Sequence, residues 1–212
     1  MATAPQIIDF VNTFYSPVKK YSAETGIPFP HAISQIALES AYGTAAPGFN
    51  FMGIKARKDS SGKPIEPANL RWTWERVKDR NEANKFPERK PDSDYQKGGY
   101  WYIRVKDYFK AFANPEEAIK FYFNLLQKNR YLPALEAYKQ GGQTWPEYTK
   151  AIVKAGYATT APDSYAAAAS QVYDRLSNFL PTTNKGKATG AVIILFLLIG
   201  AAFYYGNKQT LV

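Results

Sequence analysis

Apolar residues recur at helical spacing through most of the first 180 positions, and the places where that spacing fails locate the other elements. Ile7, Val11, Phe14, Tyr15 and Val18 form one stripe, which predicts a first helix, with Pro17 as a point of kinking or splitting. In Ile33–Gly43, "ISQIALESAYG", residues Ile33, Ile36, Ala37, Ser40 and Ala41 share a face. Glu39 falls just off its edge, on the side of Ala32, Gln35 and Tyr42, and Gly43 is the expected stop. Asn114 as N-cap, Pro115 and Glu117 open a helix over "NPEEAIKFYFNLLQ". Thr144 and Glu147 open another over "TWPEYTKAIVKAG", closed at Gly156. Leu132–Tyr138 predicts a short helix, and Pro162–Phe179 the last of the body. Only 70–112 breaks the pattern. "LRWTWERV" and "GYWYIRVKDYFKAF" are rich in aromatic and β-branched residues, so a small β-hairpin lobe is expected there, with Arg76–Lys90 as a solvated loop.

The tail differs again. Ala188–Gly206, "ATGAVIILFLLIGAAFYYG", has 19 residues and no charge. As a helix it would span about 28 Å, close to the hydrocarbon thickness of a bilayer. Tyr204 and Tyr205 sit where an interfacial aromatic belt is expected, and Lys185, Lys187 and Lys208 bracket the run. The expected organisation is a body over 1–180, a linker over 181–187, a transmembrane helix over 188–206 and a short tail over 207–212. The N-terminus has no basic start, and Asp9 and Asn12 interrupt its apolar stretch, so no secretory signal is expected. The fold class is α+β, mainly α, plus one C-terminal transmembrane helix.

Composition narrows the chemistry. The 212 residues are 45% apolar and 16% aromatic, enough for a packed core. The absence of cysteine excludes disulfides and thiolate metal sites, and the single histidine, His31, excludes a His-rich zinc site. No metal or cofactor is expected; carboxylates and tyrosines must carry any chemistry. The net charge of +9 suits anionic partners, but no compact run of Lys and Arg marks a nucleic-acid patch. Glu39, beside a buried stripe and near a helix C-terminus, is expected to be partly buried and to favour its protonated form. That is what a general acid for glycosidic cleavage needs.

Ile33–Ala56, "ISQIALESAYGTAAPGFNFMGIKA", resembles the signature of the peptidoglycan N-acetylglucosaminidases of glycoside hydrolase family 73, flagellar-type enzymes of the lysozyme-like superfamily. The matching pieces are Ala37-Leu38-Glu39-Ser40, Tyr42-Gly43 and Asn50-Phe51-Met52-Gly53-Ile54-Lys55, with Tyr42 where tryptophan is common and Met52 where phenylalanine is. Thr73 and Glu75 in "RWTWERV" are similar to the family's Thr-x-Glu strand. Tyr108–Leu126 is similar to its Phe-Arg-x-Tyr segment, and Ala155–Ala166 to its Gly-Tyr-Ala-Thr-Asp-Pro-x-Tyr-Ala stretch, with Thr160-Ala161-Pro162 in place of Asp-Pro. The resemblance runs in order over most of residues 5–180.

It implies a lysozyme-like helical domain with peptidoglycan as partner and cleavage of the β-1,4 bond after N-acetylglucosamine. Glu39 would be the general acid, Glu75 the second carboxylate and Tyr157 the active-site tyrosine. Tyr42, Asn50, Phe51, Trp74 and Trp101 would line the sugar-binding cleft; Tyr165 and His31 are expected to be structural. If Glu75 is a base, the carboxylates should stand about 6.5–9.5 Å apart; otherwise the substrate's acetamido group assists. A lytic transglycosylase, a muramidase using the same glutamate, and a non-catalytic wall-binding or virion structural protein are the other readings. A C-terminal anchor without a signal suggests a phage lysin in the membrane of a lipid-containing particle, with neighbouring virion proteins, or else a bacterial inner-membrane protein.

Overall fold

The computed structural model describes residues 2–158 and 160–181. Contacts separate Met1–Leu180 from Pro181–Val212. The expected transmembrane helix at 188–206 lies outside the described residues; among the described residues no helix is long and apolar enough to cross a membrane.

Among the described residues the body has six α-helices, two short 3-10 helices (Pro47–Phe49 and Arg80–Lys85) and one sheet: α1 (Ala4–Thr25), α2 (Phe29–Glu39), β1 (Ala68–Val77), β2 (Glu88–Lys97), β3 (Tyr100–Lys110), α3 (Pro115–Leu126), α4 (Leu132–Lys139), α5 (Trp145–Lys154) and α6 (Pro162–Ser177). The chain is mainly helical with a small antiparallel sheet. The apolar stripes meet as the pattern demands: Ile7, Phe10, Val11, Phe14 and Val18 of α1 and Ile33, Ile36 and Ala37 of α2 are buried with Ile119, Tyr122, Phe123 and Leu126 of α3 and Ile152 of α5. α1 runs unbroken through Pro17. Asn114 caps α3 by accepting from Glu117 N at 2.8 Å, and Glu147 closes the α5 capping box on Thr144 N at 2.7 Å.

The β-lobe corrects the expected hairpin. It is a three-stranded sheet in the order β1-β3-β2, with both pairings antiparallel. The added strand is the exposed edge, "ERKPDSDYQK", whose first residues, Glu88–Lys90, fall within the stretch expected to be a solvated loop. An edge strand that buries neither face needs no apolar alternation, and this one contains Pro91 and shifts register between Lys90 and Tyr95. Asp94, in the irregular stretch, is held by Arg89 and by Arg80 Nε at 3.0 Å. Burial pushes its carboxyl upward, but the two guanidinium hydrogen bonds outweigh this and hold it below the usual carboxylate value.

Candidate active site

α2 ends at Glu39 itself, one turn earlier than Gly43. Ser40, fully buried, stops it: its Oγ donates to Ile36 O at 2.6 Å and accepts from Gly43 N at 2.8 Å. Ala41, Tyr42 and Gly43 then take left-handed φ angles of 48°, 58° and 82°. For the two non-glycine residues this costs on the order of 1 kcal/mol each, so the surrounding packing must enforce the turn. Tyr42 packs edge-on against Phe10, with Arg175 at 5.9 Å from its ring. It lines a groove of about 300 Å³ with Asp9, Phe10, Thr13 and Phe49. Glu39 is thus the last residue of a fixed helix, not part of a frayed end.

The carboxylate is not half-buried as expected. Glu39 is an exposed residue, and among the described residues only one of its oxygens is engaged: Oε1 accepts from the Tyr165 hydroxyl at 2.6 Å. Tyr165 in turn accepts from Gln35 Nε2 at 3.1 Å, and Gln35 Oε1 accepts from the Tyr122 hydroxyl. Gln35 and Tyr122 are fully buried and Tyr165 nearly so. The direction of this chain is forced from its outer end. Oε1 accepts whether it belongs to a carboxylate or is the carbonyl oxygen of a carboxylic acid, so Tyr165 gives its proton to Glu39. Its oxygen then accepts from Gln35, which must present its NH₂ there and its carbonyl to Tyr122. Burial, followed by the Glu39 charge and the hydrogen bond to Glu39, pushes the Tyr165 phenol well above its ordinary value. Burial first, then neighbouring tyrosines and Glu39, does the same to Tyr122. Both hydroxyls therefore remain donors.

Tyr157 belongs to the same group. Its hydroxyl is buried without a hydrogen-bond partner among the described residues. Burial, then the proximity of Tyr165 and Glu39, raises its phenol well above the usual value. Gly156 just before it has φ 89°, and a Cβ there would collide with the Arg130 guanidinium, which itself holds Ala155 O. The structure thus brings together Glu39 and Tyr157, and adds Tyr165, Gln35 and Tyr122. Tyr165, expected to be structural, is the residue that touches the carboxylate.

Glu75 lies in a different cluster. On β1 it pairs with Lys55 Nζ at 2.6 Å, and Lys55 also reaches Asp107 Oδ2 at 3.1 Å. Asp107 is almost completely buried and pairs with Lys58 as well. Burial pushes the Asp107 carboxyl up; the hydrogen bonds from Lys58 and Lys55 prevail and hold it below its ordinary value. Asn50 and Phe51 are interior. Asn50 Nδ2 donates to Ile54 O at 2.8 Å and Lys110 O at 2.9 Å, and its Oδ1 accepts from Ile54 N, which staples the loop before Lys55 to the end of β3. Phe51 packs edge-on against Phe14 at 4.6 Å. Trp74 is 43% exposed on one face of the sheet. Trp101 lies on the other, against the Ala83, Ile103 and Val105 cluster, with Arg80 5.2 Å from its ring. Among the described residues no cluster of His, Asp and Glu could hold a metal ion.

Residues 16–178 match the family profile described as Glucosaminidase: Mannosyl-glycoprotein endo-beta-N-acetylglucosaminidase. No curated protein sequence matches the chain. Among solved structures, a peptidoglycan hydrolase mutant from Sphingomonas sp. A1 is 21% identical over 81% of this chain and 97% of its own, with a TM-score of 0.56. A C-terminally truncated glycoside hydrolase domain of FlgJ from Salmonella typhimurium is 23% identical over 81% and 98%, with a TM-score of 0.54. The catalytic domain of the autolysin Auto from Listeria monocytogenes is 18% identical over 84% and 89%, with a TM-score of 0.58. At these identities the structures establish a shared fold, and the family profile, matched over most of the chain, establishes that this protein belongs to the glucosaminidase family and is a glycoside hydrolase.

Proposed function

We propose that the protein hydrolyses the β-1,4 bond after N-acetylglucosamine in peptidoglycan, with Glu39 as general acid. The observation that carries this reading is the directed hydrogen-bond chain ending on Glu39 Oε1. With Oε1 occupied, the acid proton resides on Oε2, the oxygen left open to a bound glycan. Glu39 transfers that proton to the glycosidic oxygen as the bond from C1 breaks and positive charge develops on the sugar ring. The Tyr165 hydrogen bond becomes charge-assisted as Glu39 ionises, so it stabilises the transition state more than the ground state. Tyr157 is the active-site tyrosine of this proposal; its hydroxyl is buried and unpartnered among the described residues, so it meets the sugar only if the site opens on binding. The peptidoglycan hydrolases among the structural neighbours support the substrate class. Digestion of purified peptidoglycan tests the reading: new reducing ends on N-acetylglucosamine are expected, whereas anhydro-muramic products would show a lytic transglycosylase and reducing ends on muramic acid a muramidase.

Glu75 is the second carboxylate of this proposal. Its Oε1 is already engaged by Lys55 Nζ at 2.6 Å, so that oxygen is not free to receive a proton from an attacking water. This favours attack by the substrate's own acetamido group, with Glu75 supplying negative charge to the cationic intermediate.

Tyr165→Phe tests the hydrogen-bond chain. Loss of a hydrogen bond to a charged group, about 1.5–3 kcal/mol, should lower kcat by roughly 10–100-fold with little change in KM. A merely structural tyrosine would lower the unfolding temperature and leave kcat of the folded protein intact.

The charge-free run 188–206 is taken as a single-pass membrane anchor, in the membrane of a lipid-containing phage particle or in a bacterial inner membrane. The full chain should resist alkaline carbonate extraction from membranes, and a chain ending at residue 187 should not. Detection in purified virions would assign it to the particle, together with neighbouring virion proteins; release of the full chain by carbonate would refute the anchor.

A further inference from the structure

The two faces of the sheet differ. Alternation places Glu75, Val77, Ile103, Val105 and Asp107 on the side of the Ala83 cluster. The opposite face carries Trp72, Trp74, Arg76, Tyr102, Arg104 and Lys106, and β2 brings Lys90 and Tyr95 alongside. Its rings are interleaved with cations. Lys90 and Lys106 lie 4.9 and 5.3 Å from the Trp72 ring, and Arg104 lies 5.5 Å from Trp74. Tyr95 stacks on Tyr102 at 4.9 Å and meets Trp74 at 5.5 Å. Glu88 pairs with Lys106, but Arg76, Lys90 and Arg104 pair with no carboxylate among the described residues. Trp74 and Tyr95 are 43% and 46% exposed, although burial of large aromatics is strongly favourable.

We propose that this face binds the carboxylate-bearing glycan outside the scissile sugars, holding the enzyme on the polymer between cuts. The inference rests on the peptidoglycan reading above and concerns the sheet face opposite the one that carries Glu75. Charge complementarity selects the partner: the peptide stems of such a glycan carry free carboxylates, and three unpaired cations stand ready for them. The rings offer flat faces to the C–H surfaces of pyranose sugars. Cations of the same sheet lie beside the Trp72 and Trp74 rings. A second contact with the same polymer raises the local concentration of uncut bonds at Glu39.

Co-sedimentation of the full chain with purified insoluble peptidoglycan tests this, with Glu39→Gln present to prevent cleavage. Adding Lys90→Glu and Arg104→Glu should weaken binding at least about tenfold, since two attractive contacts become repulsive. Peptidoglycan with its stem carboxylates chemically amidated should bind the parent equally weakly. With Glu39 intact, the same two reversals should leave cleavage of a short soluble glycan unchanged. Undiminished binding by the variant or to the amidated wall overturns the proposal. So does loss of binding to phosphatidylglycerol vesicles or single-stranded DNA with wall binding retained, which would give the face to those partners. Should the chain with Glu39 intact fail to cut the glycan, the hydrolase reading fails, while the sedimentation comparison still decides the face.

Discussion

Glu39→Gln should reduce hydrolysis of peptidoglycan by at least about 10³-fold, within the range that a general acid supplies. The amide is nearly isosteric, and its carbonyl can still accept from Tyr165, so the hydrogen-bond chain back to Gln35 and Tyr122 survives. What disappears is the transferable proton on the second oxygen. The NH₂ that replaces it can form a hydrogen bond to the glycosidic oxygen but cannot protonate it. Glu39 is exposed and its single contact is retained, so the thermal unfolding midpoint should stay close to that of the parent. Sedimentation with insoluble wall should also persist, because binding does not need the proton. Release of new reducing ends is the measurement. Undiminished release would remove Glu39 from the chemistry; loss of release together with loss of folding would place Glu39 in the framework.

The same residue shows how much of the site could be read before the structure. Its helix, the neighbouring apolar stripe and its place at a helix end were all visible in Ile33–Gly43. Its surroundings were not, because they come from three helices that meet far apart in sequence: Gln35 lies 87 residues from Tyr122 and 130 from Tyr165. One trace was present. Gln35 shares the wheel edge of Glu39, one turn back, and a polar residue there at the border of a buried stripe calls for a buried partner. Asn50 misleads in the opposite direction. A polar residue in a loop next to a motif suggests a ligand contact, but this one satisfies the backbone of a turn that no local pattern announces. β2 escaped because pairing to β3 is a property of the neighbour, and an exposed polar edge leaves no periodic signal. Lys55 shows the limit from another side: its place in the Phe51–Lys55 segment was legible, but its bridge between Glu75 and Asp107 depends on the register of β1 against β3.

His31 should make the fold acid-labile. It lies in the first turn of α2, completely buried, with its ring edge-on to Tyr148 at 4.8 Å. Thr149 Oγ1 donates to Trp145 O, so at its 2.9 Å contact with His31 it accepts, and the ring proton resides on Nδ1. Nε2 is then a bare, buried nitrogen with no partner among the described residues. A second proton there would create a fully buried imidazolium with no carboxylate paired to it among the described residues, near the positive end of the α2 dipole. Burial accordingly lowers the His31 pKa from 6.5 to about 3. Because the folded value is the lower one, the unfolded chain binds the proton first. The stabilisation is complete above pH 6.5 and is lost as pH falls toward 3, with a slope approaching ~1.4 kcal/mol per pH unit. Between pH 7 and pH 4 this amounts to roughly 3 kcal/mol, a large part of the stability of an ordinary domain. Urea unfolding at pH 7, 5 and 4 measures it. His31→Gln should be less stable at pH 7 but lose about 3 kcal/mol less on acidification, since carboxylate titration is common to both chains. Parallel losses in the two proteins would exclude His31 as the cause. Because α2 carries His31 at one end and Glu39 at the other, protonation of the first disorders the second. A decline in hydrolysis at acid pH that is shallower in His31→Gln therefore reports the integrity of the helix and not the ionisation of the catalytic acid.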